Sequence, residues 1–413
     1  MICCSSSRPA SLSSCLRGLF ALIALALLTA PAFAGDLKTI KTRHYTLRTD
    51  VDPALAADLA KRMDAMYDEY DRRMADFQKP ADTETLSFDV HVFDRRADYA
   101  AFTQNKVPNS GGVFMPGKNA LAGFLEGQGR DGLRRTLQHE AFHQFAFTVI
   151  ARELPIWLNE GIAQLFEEGI WTGKAFLLNQ VPPRRVRQLQ EDAKGRRLIP
   201  FKDFLTMTHD QWNENLAKDA DKGGTQYNQA WAMVQFLVNA TDAAGRPAYR
   251  QRLVDLLKLL NKGTPSDEAF KQAFPMGGDE LQRRFAEWAM RLKPTREATF
   301  LERQEVLADL LTGLADKGQR FRDVDAFKNA VVGNGMQIHY SRGRIRWQTE
   351  ADPAVYFADM QGRPYGPKEL FFQNRPGAPL PDIICRAASQ VQIRTRFHES
   401  GKNIEHEVVI EAR

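Results

Sequence analysis

Cysteine is nearly absent: of the four, Cys3, Cys4 and Cys15 lie within the first fifteen residues, and Cys385 stands alone in the rest of the chain. A lone thiol cannot close an internal bridge, so a disulfide-framework fold is excluded. No excess of one charge is present either, with 56 Lys and Arg against 51 Asp and Glu, a net +5. Counterion-release binding needs a concentrated basic face, so nucleic acid is not expected as a dominant partner. Internal repeats, low-complexity tracts and long charge runs are also missing. What is present, 43% hydrophobic and 26% charged over 413 residues, is ordinary globular composition and enough chain for two or three domains.

The N-terminus carries Arg8 and Arg17, an apolar run from Leu19 to Ala30, and then Pro31-Ala32-Phe33-Ala34. A positive region, a short apolar core and an A-x-A end form the pattern of a secretory signal, with cleavage expected after Ala34. The run is shorter than the roughly 20 residues that span a bilayer, and no other segment reaches that length. The expectation is a secreted or periplasmic protein of 379 residues with no stable membrane insertion after signal removal. That cut removes two arginines and no acid, lowering the net charge from +5 to +3.

Thr39 to Thr49 reads as a strand, Asp52-Pro53 opens a helix to about Phe77, and Leu86 to Phe93 alternates as a second strand. Arg96 to Asn105 is a short helix, and Val113 to Leu125 is a hairpin turning at Pro116-Gly117. After Asp131, an expected N-cap, helices dominate: Leu133 to Ala151, Pro155 to Glu168, Arg184 to Lys194, Gln226 to Thr241, Tyr249 to Leu260, Glu280 to Leu292 and Arg296 to Asp316. From about Val331 the texture alternates with Gly at the breaks. The fold class is therefore α+β. A main domain over 35–320 divides into an α+β part, 35–130, and a helical part, 131–320, and a small β-rich domain over 321–413 closes the chain. Its Tyr340, Trp347, Tyr356 and Phe357 are expected to pack rather than to present a ligand platform.

The chemistry concentrates in LRRTLQHEAFHQFAFTV, where His139-Glu140-Ala141-Phe142-His143 fits H-E-x-x-H. Helix positions four apart share one face, so both imidazoles can reach one ion with Glu140 beside them. A catalytic zinc needs a third protein ligand and an open position. A second helix follows with Trp157-Leu158-Asn159-Glu160-Gly161-Ile162-Ala163, which places a carboxylate in its first turns, sixteen residues separating His143 from Glu160.

H-E-x-x-H followed by W-L-N-E-G-x-A resembles the gluzincin metallopeptidases of the peptidase MA-like kind, which include thermolysin and the zinc aminopeptidases. The resemblance covers about thirty residues. It implies a gluzincin-like catalytic domain, a small mixed sheet plus a helical bundle, with one Zn2+ per chain held by His139, His143 and Glu160 and with Glu140 as general base. Such a site hydrolyses peptide bonds in a peptide or protein substrate through a zinc-activated water. The resemblance also places an oxyanion donor several dozen residues beyond the glutamate ligand, for which Tyr227 is the candidate and His209 the runner-up. Ligating histidines pass their second N–H to an acceptor. Thermolysin-like members carry an acid one turn after the glutamate ligand; here that position is Gln164, and a backbone carbonyl, Gln164 or Glu167 are the alternatives.

Gluzincins also lay substrate along the edge strand before the active-site helix. The arm Asn119 to Phe124 is the candidate edge, with Asn119, Ala120, Leu121, Ala122 and Gly123 against the substrate and Gly123 allowing close approach. Gly123-Phe124-Leu125-Glu126-Gly127 only loosely echoes the aminopeptidase G-x-M-E-N segment, so exopeptidase activity is not carried over. Two competing classes remain: a catalytically silent gluzincin-fold protein, zinc-binding or zinc-free, acting as an envelope interaction module, and a hydrolase of non-peptide amides. Oligomeric state has no signature in the sequence.

Overall fold

The computed structural model describes residues 37–75, 87–108, 110–150, 153–342, 345–386, 391–401 and 403–412. The expected signal segment 1–34, the end of the first helix beyond residue 75 and the start of the second strand at Leu86 lie outside these. Strands β1 (Lys38–Lys41) and β2 (Tyr45–Thr49), helix α1 (Pro53–Arg73), β3 (Phe88–Phe93), α2 (Arg96–Phe102), β4 (Gly112–Met115) and β5 (Ala120–Phe124) form the opening. The sheet order is β1-β2-β3-β5-β4. The β2–β3 and β3–β5 pairs are parallel, and β1 and β4 add antiparallel edges. The single strand expected over 39–49 is a hairpin. The Asp64 carboxylate takes the Thr42 hydroxyl and the N–H groups of Arg43 and His44, turning the chain there.

Helix α1 starts where Pro53 needs no donor and Asp52 accepts from Leu55 N–H, a side-chain N-cap. Its stripe of Leu55, Leu59, Met63, Met66 and Tyr70 is buried. Next come α3 (Gly129–Phe145), a π turn over Ala146–Ile150, α4 (Ile156–Glu167) and the short strands β6 (Ile170–Trp171) and β7 (Phe176–Leu177). Helices α5 (Pro183–Lys194), α6 (Phe201–Phe204), α7 (His209–Lys218), α8 (Ala220–Asn239), α9 (Arg250–Asn261), α10 (Ser266–Ala273) and α11 (Gly278–Arg291) complete the bundle. Asp131 is not the cap of α3. The helix begins two residues earlier, and the Asp131 carboxylate instead accepts from Arg134 and from the distant Val408 N–H. Asp219 starts α8 six residues before its expected beginning by accepting from the N–H groups of Asp221 and Lys222.

One apolar core runs from Tyr45 to Ala289 through sheet and bundle together, so the 35–130 and 131–320 parts are one packing unit. A second core holds the rest: α12 (Arg296–Asp316), α13 (Val324–Gly333), the hairpin of β8 (His339–Arg342) and β9 (Ile345–Gln348), and β10 (Leu370–Gln373), β11 (Asp382–Cys385), β12 (Val391–Ser400) and β13 (Asn403–Ala412). The last four make an antiparallel sheet in chain order. Because Phe300, Val306, Leu307, Leu310, Leu311 and Leu314 of α12 point into this second core, the boundary falls before α12 and not at 320. Tyr356 and Phe357 are buried in it and Tyr340 packs against it; the Trp347 side chain lies outside the described residues. The fold is α+β. Among the described residues no helix is long and apolar enough to cross a membrane.

One close contact fixes a helix that carries the site. Helix α4 meets α8 at Gly161, where an added Cβ would lie 2.5 Å from the Ala230 carbonyl oxygen and 2.6 Å from Val234 Cγ2. Gly161→Ala is therefore expected to lower stability by about 1–3 kcal/mol through overpacking, measured as a shift in the denaturant midpoint; an unchanged midpoint would contradict this packing.

On the sheet, burial together with the nearby Arg48 and Lys118 holds the His91 imidazole down to about 4 against the opposing pull of Asp89. The unfolded chain takes up that proton near 6.5, so between 6.5 and about 4 it binds more protons than the native state and stability falls as pH falls. His91→Phe should flatten the pH dependence of the melting temperature across that window, and parallel curves for parent and variant would refute it.

Candidate metal centre

Helix α3 puts His139 and His143 one turn apart with ring centroids 4.7 Å from each other. Buried Leu133, Leu137, Ala141, Phe142 and Phe145 fix the rest of the helix in the core. Helix α4 crosses in front and presents Glu160. The Glu160 Oε2 atom is 3.2 Å from His139 Nε2, and Oε1 is 3.7 Å from His143 Nε2. One ligand atom from each of the three residues lies within 4.8 Å of the others. A tetrahedral zinc with bonds of about 2.0–2.1 Å holds neighbouring ligand atoms roughly 3.3 Å apart, so the spacing and the two-nitrogen, one-oxygen donor set fit that ion.

The far side of each ring is held. His139 Nδ1 is 3.1 Å from Glu167 Oε2, and His143 Nδ1 is 3.0 Å from Asn159 Oδ1. Both acceptors select the Nδ1–H tautomer and leave Nε2 for a metal. Of the alternatives left by the sequence, Glu167 therefore serves His139. Gln164 turns away, donating to the Glu160 carbonyl and accepting from Arg185 Nη1 at 2.9 Å. Asn159 was not anticipated, although its place immediately before the glutamate ligand was the available signal.

Burial works against charge throughout this cluster, yet the partners prevail. His139 is raised well above its ordinary range because its hydrogen bonds and charge contacts with Glu160 and Glu167 outweigh desolvation. Glu160 is lowered in turn: against burial act the charge of His143, the hydrogen bond and charge of His139, and the charge of His209.

Glu140 sits one residue from His139 on the sheet side, where its Oε2 accepts the Phe114 N–H at 2.8 Å. That bond corrects the expected substrate edge. β5 lies inside the sheet between β3 and β4, so Ala120, Leu121, Ala122 and Gly123 are already paired on both sides. A Cβ added at Gly123 would lie 3.4 Å from Leu133 Cδ1 and Leu137 Cδ2 of α3. The Asn119 carbonyl is taken by Gln144 Nε2. The free edge is β4. Since Phe114 N–H leaves the ladder, the alternation of an antiparallel strand turns the backbone groups of Gly112 and Phe114 outward beside Glu140, where Ser110 Oγ takes the Gly112 N–H and donates to the Gly112 carbonyl. Gly112 is needed there, because an added Cβ would meet Thr136 Cγ2 at 2.5 Å. Glu126 accepts from Arg96 N–H, at the start of α2.

Tyr227 on α8 packs edge-on against Trp212 with centroids 5.0 Å apart. Burial raises its phenol, and the carboxylates of Glu160, Glu140 and Glu167 are close enough to raise it further. His209, first residue of α7, is near enough for its charge to act on Glu160. Both expected donors thus flank the cluster.

Residues 134–253 match the model of a family described as a protein of unknown function, DUF1570. The matched segment contains His139, Glu140, His143, Asn159, Glu160, Glu167 and Tyr227 and stops before the C-terminal sheet. No curated protein matches the chain.

If the two acceptors orient the rings as described, Glu167→Gln and Asn159→Ala should each weaken zinc binding about 10–100-fold. His143→Ala should abolish stoichiometric binding. Competition with a chromophoric chelator reads all three, and full occupancy in His143→Ala would remove that residue from the ligand set.

Proposed function

We propose that the protein is an exported zinc-dependent peptidase of the gluzincin type, with the signal segment cut after Ala34 and one zinc held by His139, His143 and Glu160. The observation that carries this reading is the convergence of two Nε2 atoms and one carboxylate, 3.2 and 3.7 Å apart, with a second carboxylate, Glu140, held against the neighbouring strand edge. Zinc in such a site supplies Lewis acidity and brings the pKa of water to about 7.

The chain's own groups account for the remaining steps. An extended peptide lies along the outward side of β4 once Ser110 Oγ releases Gly112, which lays its carbonyls along the cleft between β4 and α3. Phe114 N–H fixes one oxygen of Glu140, and the carboxylate takes a proton from water as it attacks the carbonyl, then delivers it to the departing amine. Tyr227, kept protonated by burial and by the surrounding carboxylates, donates to the oxygen on which negative charge develops. Glu167 and Asn159 keep the two rings from turning.

Glu140→Gln separates this reading from a silent scaffold. The parent and the variant should each bind about one zinc, while hydrolysis of a peptide library falls about 10²–10⁴-fold in the variant, the usual contribution of a general base. Cleavage sites mapped by mass spectrometry identify the substrate class. Zinc in both proteins with no cleavage by the parent would favour the binding-module reading.

A further inference from the structure

Behind Glu167 the metal cluster continues into a chain of alternating charges. Arg185 of α5 is 4% exposed and stacks over the Trp231 ring at 5.2 Å. Its guanidinium reaches three acceptors on α4 and its C-cap. Nη1 donates to Gln164 Oε1 at 2.9 Å, Nε to Glu168 Oε1 at 2.5 Å, and Nη2 is 3.9 Å from Glu167 Oε2. Glu168 is clasped from its other side by Arg184 Nη2, at 2.9 and 2.6 Å. The Arg184 N–H donates in turn to Glu302 of α12 at 2.9 Å, and Glu302 also receives Arg187 at 2.7 Å.

These groups are balanced, with Glu167, Glu168 and Glu302 against Arg184, Arg185 and Arg187. A buried charge persists only where partners and hydrogen bonds replace water. Removing Arg185 would leave the buried Gln164 oxygen without its donor and Glu167 without its cation. Gln164 is tied to the Glu160 backbone and Glu167 to the His139 ring, so both of these supports for the ligands depend on one guanidinium.

We propose that Arg185 is a positioning residue for the metal ligands, holding the His139 ring through Glu167 and the Glu160 backbone through Gln164, and that Glu168, Arg184 and Glu302 extend this support to the C-terminal module. The proposal rests on the zinc reading above. It adds that the module beginning at α12 helps to set metal affinity although none of its described residues belongs to the cluster of His139, His143 and Glu160.

The test uses the full chain with zinc alone as the probe, in Arg185→Met, Arg185→Lys and Glu302→Gln, and reads the zinc dissociation constant and the visible spectrum of the cobalt-substituted protein. Arg185→Met should weaken zinc about 10–100-fold, as losses of outer partners of ligating histidines do, and shift the cobalt bands. Arg185→Lys, which keeps the charge but not the fork, should fall between this variant and the parent, and Glu302→Gln should shift the same bands less. Asp192→Asn, which removes the charge from another buried acid on α5, paired with Arg197, serves as a control: its melting temperature should fall with no change in cobalt spectrum.

A folded Arg185→Met or Arg185→Lys with the parent's zinc affinity and cobalt bands overturns the proposal and leaves the metal site standing. If Arg185→Met fails to fold, Arg185→Lys and Glu302→Gln decide by the same criterion. A parent chain that binds no zinc overturns the metal reading and this support together.

Discussion

An imidazole on a helix can swing about two bonds, and two of them will offer their nitrogens to one cation only if something stops the swinging. In this protein the restraint comes from helix α4, which brings the Glu160 carboxylate between the rings and also gives each ring a partner: Asn159 for His143 and Glu167 for His139. The spacing is that of a helix, since positions 160 and 167 are two turns apart on one face and 159 lies at its border. Every other feature of the cluster depends on the distance between α3 and α4, because a shift of α4 would release all three at once.

That distance is set away from the charged groups. On one side Phe142 stacks with Phe166 at 5.4 Å and Tyr70 meets Phe166 edge-on at 4.6 Å. On the other, Gly161 lets the α8 backbone come as near as a hydrogen atom allows. Close packing of this kind does not yield gradually, which is how a cluster of partly buried titratable groups keeps one geometry. The same arrangement explains why Glu160 stays ionised in a buried position: the histidines that would share a cation lie against it.

Much of this was legible in the residue order. The pairing of His139 with His143 follows from helical period, and the place of Glu160 follows from a second local pattern. Helices α3, α4, α5, α8, α9, α11 and α12 follow from apolar stripes, whereas the short α6, α7 and α10 do not stand out in the residue order. What could not be read depends on contacts between distant segments. Gln164 occupies the expected position for an outer partner, but Arg185, twenty-one residues on, draws it away. The edge strand differs from the expected one because β5, the last of that sheet's strands in sequence, inserts between β3 and β4, and chain order carries no mark of such an insertion. Helix α12 reads as one more helix of the bundle, and only its burial partners assign it to the second core.

That last assignment changes how the tail could have been acquired. A join at residue 320 would strand a greasy helix without its cover, whereas a join ahead of Arg296 would carry α12 and the sheet as a finished piece. The surface such a piece offers to α3 and α5 is studded with opposite charges: Glu305 meets Arg135, Glu407 meets Arg134 and Glu302 meets Arg187. The same face is not wholly polar, since Ile170 and Leu177 of β6 and β7 close over the second core, so a unit that begins ahead of α12 would carry both its charges and an apolar strip that the main domain covers.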